Sequence, residues 1–147
     1  MHSETNLIRS LGLEPGDRIV VPKSSWNIVK HHALYLGHDV EGYHYICENV
    51  INVGVKLTRV NVFFHGIAKV TRAEKFNGSP VERKKIVQKA LLKLGKPYSL
   101  INYNCESFCN DVQHNVIRSG QVSVGLFVGF VGLMLAILNS DYGKQNV

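Results

Sequence analysis

The spacing of apolar positions changes along this chain, and the changes sort it into strands, then helices, then an apolar tail. Glu14-Pro15-Gly16-Asp17 reads as a turn, and residues 18–21 behind it read as a strand. Residues 31–36 and 43–48 predict two further strands joined by the polar stretch 38–42, and residues 52–57 predict another after a tight turn. The apolar stretch 60–64 continues this β-like part toward 67–70.

The period then lengthens. Ser79, Pro80 and Glu82 form an N-cap, a first-turn proline and a capping box. Val81, Ile86, Val87, Ala90, Leu91 and Leu94 recur at helical spacing behind them, and Gly95 marks the stop. A second helix is expected to begin near Asn104 and to carry Phe108, Val112 and Val116. Residues 122–138 are apolar apart from Ser123, with Gly125 and Gly129 four apart. As a helix at about 1.5 Å per residue this run spans roughly 25 Å, a little short of a bilayer core of about 30 Å. It reads as a membrane-associating helix or, alternatively, as a buried core helix. The pattern therefore predicts an α+β protein: a domain over 1–121, an apolar helix over 122–138, and a polar tail over 139–147.

Composition narrows the partners. The 147 residues carry 17 basic and 11 acidic side chains, a net charge of +6, with much of the surplus between Lys69 and Lys96. A mild basic excess suits an anionic surface. Without aromatics interleaved among the cations there is no base-stacking surface, so a membrane is expected and nucleic acid is not. Cys47, Cys105 and Cys109 make no even disulfide framework and no CxxC pair, which points to a reducing compartment and to no metal or cofactor. The N-terminus shows no basic and apolar leader, and the location expected is cytoplasmic, at a membrane through the apolar segment.

The candidate chemistry lies in Asn104-Cys105-Glu106-Ser107-Phe108. A cysteine at a helix N-terminus sits at free amides and the positive end of the helix dipole, which stabilises a thiolate. The same amides can hold an acyl oxyanion. The plain alternative is a core cysteine packed against Phe108, and Cys109, one turn on, reads that way. His31 opens an apolar strand and can serve as a base, although a strand histidine is more often structural. His32 faces the other side of that strand. A third group to orient the imidazole is either Glu48 or His44, which share one face of the next strand. Glu48 is costly to bury unpaired, and His31 would supply a partner.

With these residues in place, the chain resembles the lecithin:retinol acyltransferase-like family over roughly residues 15–122. The resemblance rests on His31-His32-Ala33-Leu34-Tyr35-Leu36-Gly37 and on Asn104-Cys105-Glu106-Ser107-Phe108. Pro15-Gly16-Asp17, Glu48-Asn49, Gly54-Val55 and Leu94-Gly95-Lys96-Pro97-Tyr98 support it. It implies a papain-like α+β fold, a circular permutation of the NlpC/P60 arrangement, with an antiparallel sheet packed on helices. It implies Cys105 as nucleophile, His31 as base and Glu48 as third residue, with His44 in that place under another register. The implied reaction is thiol-dependent phospholipid acyl hydrolysis or acyl transfer through a Cys thioester, with a phospholipid membrane and an acyl acceptor as partners. Ser107 stands where the family usually has histidine, Val29 where some members have an aromatic, and the hairpin 38–42 is long. Two other readings stay open: a non-catalytic membrane-remodelling or interaction module, and a papain-like peptidase or amidase.

Overall fold

The computed structural model of the chain describes residues 2–23 and 29–142. Ten elements follow in order: α1 (His2–Ser10), β1 (Arg18–Pro22), β2 (Lys30–His38), β3 (His44–Val50), β4 (Gly54–Arg59), α2 (Val60–Phe63), β5 (Arg72–Glu74), α3 (Pro80–Leu92), α4 (Cys105–His114) and α5 (Gly120–Tyr142). The strands form one antiparallel sheet in the order β4-β3-β2-β1-β5. The protein is α+β.

Both faces of the sheet are covered, which is why its central strands carry consecutive apolar residues such as Ile19-Val20-Val21 rather than strict alternation. Ala33 and Tyr35 of β2 join Ile8 of α1 and Val60 and Phe63 of α2 in one core. Leu34, between them, points to the other face and joins Ile86 and Ala90 of α3 with Phe108, Cys109 and Val112 of α4. The period of two thus places α4 against β2.

Several elements differ from the sequence expectation. Residues 60–63 form the short helix α2 instead of continuing the β-like part, because Val60 and Phe63, three apart, both turn into the core. Helix α1 has few apolar residues and no long periodic run; its buried Glu4 takes the Asn61 N–H at 3.2 Å and lies 3.6 Å from the Arg59 guanidinium. Strand β5 is a short charged edge. Helix α4 stops at His114, with Asn115 in the left-handed conformation at φ 58°, so Val116 lies beyond it. Asparagine tolerates that conformation better than most residues. The capping box on α3 is present as expected. The apolar run 122–138 lies within α5. Among the described residues, no helix is long and apolar enough to cross a membrane. Of the expected polar tail, residues 143–147 lie outside the described residues.

The motifs flanking the cysteine box build its scaffold. The Val55 N–H donates to Lys96 O at 2.9 Å and Gly95 N–H to Val55 O at 2.8 Å, which pins the end of the α3 segment to β4. Gly54 sits at φ +88°, and a Cβ there would fall 2.5 Å from Lys96 O, so only glycine fits. Buried Asn49 donates to Tyr103 O at 2.7 Å, just ahead of Cys105. Asp17, fully buried, accepts from the Glu14 and Phe76 amides and pairs with Arg83 and Lys75, locking the turn before β1 to the α3 side of the sheet.

Candidate active site

Cys105 is the first residue of α4, and Asn104 is its N-cap. The Asn104 side-chain oxygen accepts from the Ser107 N–H at 2.9 Å and from the Ser107 hydroxyl at 3.1 Å, while its amide nitrogen donates to Leu100 O at 3.2 Å. The cap thus fixes both the helix start and the loop that enters it. Ser107 is buried and spent on this cap, away from the two cavities beside the site. Cys105 is itself largely buried, with its thiol 3.8 Å from Lys30 O on β2.

The strand register decides which side chain meets His31. Ala33 pairs with Glu48, whereas His44 pairs with His38 at the far end of the β2–β3 hairpin. Accordingly His31 Nε2–H donates to Glu48 Oε2 at 2.7 Å. Glu48 is 6% exposed, and its other oxygen accepts the Thr58 hydroxyl at 2.5 Å with Lys56 at 3.5 Å. His44 is bonded to Tyr35 at 2.7 Å and to Thr5 at 3.2 Å, remote from the cysteine. Of the two candidate third groups, the structure brings Glu48 and not His44 to His31. His32 points the other way, as strand alternation requires; burial pushes its imidazole down to about 4, with Glu106 and Arg18 as its charged neighbours.

Electrostatics separates Cys105 from the other cysteines. All three are free and buried. Burial pushes the Cys47 thiol up to about 12, and the Cys109 thiol is also raised by burial, so both remain protonated. At Cys105 burial acts the same way, but hydrogen bonding and charge from His31, the His32 amide and the Lys23 charge override it and hold the thiol below its ordinary value. His31 mirrors this: burial alone would lower it, yet contact with Cys105 and Glu48 raises it to about 9. Its Nδ1 is buried with no hydrogen-bond partner among the described residues, while Cys105 acts on the imidazole through hydrogen bonding and charge. Glu48 is held below the usual carboxylate range, since His31, Thr58 and Lys56 outweigh its burial. A thiol, an imidazole and a carboxylate so linked can support a thiolate–imidazolium pair.

Two cavities flank this chain of residues. The larger, about 840 Å³, is mostly apolar and is lined by Cys105, Tyr98, Leu100, Ile101 and, from α5, Val122 and Leu126. The smaller, about 370 Å³, holds His31, Glu48, Thr58 and Lys56. Lys23 borders both.

The sequence reading missed the attachment of α5. Glu106 Oε2 accepts the Ser119 hydroxyl at 2.6 Å and the Gln121 N–H at 3.2 Å. The Gln121 side chain in turn accepts from Lys30 N–H at 3.0 Å and donates to Lys30 O at 3.3 Å. The only signal in the sequence is an acidic residue in the first turn of α4, which reads equally well as a dipole partner. Among the described residues, no group of three or more His, Cys, Asp and Glu side chains could hold a metal ion.

Residues 12–118 match the model of a protein family described as lecithin retinol acyltransferase. No curated protein matches the chain.

Proposed function

We propose that this chain, which belongs to the lecithin retinol acyltransferase family, is a thiol-dependent phospholipid acyl hydrolase or acyltransferase that works at a membrane surface. The family supports acyltransferase-type activity in general. The finer reading is carried by one observation: of three buried cysteines, the one with a depressed thiol is the one facing a histidine that a buried carboxylate holds at 2.7 Å.

In this reading the Cys105 thiolate attacks the ester carbonyl carbon, and amides at the start of α4 take up the developing oxyanion. The His31 imidazolium gives its proton to the departing alkoxide as the carbon–oxygen bond breaks. A thioester on Cys105 and a lysophospholipid result. Water, or an amine or hydroxyl acceptor, then loses a proton to His31 as it attacks the thioester. Cys105 leaves as thiolate, which restores the starting pair. Glu48 stays ionised and keeps the imidazole oriented. Exposed Val124, Phe127 and Val128 on α5 supply an apolar surface for membrane contact.

The test is intact-protein mass spectrometry after incubation with a phosphatidylcholine carrying a labelled acyl chain. An acyl adduct on Cys105, absent in Cys105→Ala, is expected. Release of free fatty acid or lysophospholipid should disappear with it. No adduct and no released acid, with vesicle binding retained, would instead favour a non-catalytic membrane module. Cleavage of peptide amides in place of esters would favour the peptidase reading.

A further inference from the structure

The family match ends at residue 118, just before α5, so nothing in it accounts for a wall of the larger cavity that α5 supplies. That wall is built, not incidental. Glu106, the residue after the candidate nucleophile, binds the Ser119 hydroxyl and the Gln121 amide. Gln121 then grips both the N–H and the carbonyl of Lys30, the residue before His31. The first turn of α5 is therefore tied to the Glu106 side chain beside Cys105 and to the Lys30 backbone beside His31. Four residues after Gln121, one helical turn along, Gly125 lines the same cavity. A Cβ at Gly125 would meet no protein atom within 4 Å, so the space beside this lining residue is open.

We infer that this cavity is the channel for the acyl chain of the substrate, that the root of α5 forms one wall of it, and that Gly125 sets how long a chain it admits. The inference rests on the acyl-enzyme reading above. Cys105 lies in the lining, so a thioester formed there has its hydrocarbon beside Tyr98, Leu100, Ile101, Val122 and Leu126. Lys23, Lys30, Asn104, Glu106 and Gln121 also line it, but the surface presented to the cavity is mostly hydrocarbon, which suits an acyl chain. The headgroup side lies toward Lys23, which borders both cavities and whose charge, after that of His31, helps lower the thiol.

The test is a pair of glycine replacements in the full chain. Gly125→Leu adds a branched side chain at a lining position where its Cβ meets no protein atom within 4 Å. Gly129→Leu adds the same side chain one turn further on, outside the lining, where a Cβ also meets nothing within 4 Å. Both raise helix propensity alike, so a difference between them is not a folding effect. Turnover of acetyl, butyryl, octanoyl and palmitoyl p-nitrophenyl esters is compared as kcat/KM. In Gly125→Leu the palmitoyl-to-butyryl ratio should fall roughly tenfold or more, and in Gly129→Leu it should stay at the wild-type value. An unchanged ratio in Gly125→Leu, or an equal fall in both, overturns the channel.

A second measurement separates this inference from the chemistry. Cys105→Ala is titrated with a fluorescent long-chain fatty acid, with and without Gly125→Leu. Binding that Gly125→Leu weakens and Gly129→Leu does not would uphold the channel even if no thioester ever forms. Equal binding in all three would reject it even if the thioester is found.

Discussion

At the scale of single residues, the centre of this protein is a charge relation between His31 and Glu48. The two groups perturb each other in opposite directions, so their effects on stability have opposite pH dependence. Glu48 is held below its ordinary value of 4.5 despite burial, so its ionised form stabilises the fold above that pH and loses this as pH falls through the lower folded value. His31 is raised from 6.5 to about 9; its charged form stabilises fully below 6.5 and the contribution is lost as pH rises through about 9. In the proposed mechanism the thiolate–imidazolium pair would therefore have an alkaline limit near 9, set by His31, and an acid limit set by Cys105. Replacing Glu48 with Gln keeps the shape but removes one of the groups that raise His31. The alkaline limb of the pH–rate profile should move toward neutral, and stability should fall by about 1–3 kcal/mol as Thr58 and His31 lose a charged acceptor. An alkaline limb that stays put in Glu48→Gln would mean Glu48 does not hold the imidazolium.

At the scale of elements, the setting of the proposed nucleophile follows from how α4 begins. Asn104 caps the helix, Ser107 closes the cap, and Leu100 O ties the cap to the incoming loop. Asn104→Ala should cost about 1 kcal/mol in chemical denaturation. It should also raise the pH at which iodoacetamide alkylates Cys105, because the first-turn amides lose their fixed direction toward the sulfur. Asn104→Asp, which can still cap, should restore stability more fully than Ala does. Cys47 and Cys109 should resist alkylation in the native protein throughout, and modification of either at the Cys105 rate would contradict the assignment. Such local features were legible in the sequence because the interacting groups lie within one turn: the Ser79–Glu82 box, the Asn104 cap, and the alternation that sends His31 and His32 to opposite faces. Glu48 and His44 could not be separated by pattern, since a period of two puts both on one face. Only the pairing of Ala33 with Glu48 decides which reaches His31. Helices α1 and α2 and strand β5 were too short or too polar to show a period. The Gln121–Lys30 contact joins residues 91 apart in sequence, and no local pattern encodes such a pair.

At the scale of the whole molecule, the sheet with its two covered faces accounts for the core, and α5 is left with apolar side chains turned outward. Phe127 and Val128, which lie outside the cavity lining, are each more than 60% exposed, an arrangement that water disfavours unless another surface covers it. With a net charge of +6 and an apolar helix beside the candidate site, a lipid surface is the occupant we propose. The contributions of charge and helix can be told apart. Phe127 and Val131 are exposed on α5 and lie outside the lining of the larger cavity. Changing both to Glu removes apolar contact worth about 1.5–3 kcal/mol per side chain, so partitioning onto vesicles should fall roughly a hundredfold or more. Because neither residue packs in the core, thermal stability should stay within about 0.5 kcal/mol of wild type. Co-sedimentation with neutral phosphatidylcholine vesicles at high salt isolates the helix, since surface charge is screened there. Vesicles containing phosphatidylserine at low salt add the basic surface between Lys69 and Lys96. If the double Glu variant binds neutral vesicles as well as wild type does, α5 is not the membrane contact. If it binds neither kind while still turning over the soluble butyryl ester, the helix delivers the site to lipid and the chemistry stands apart from delivery.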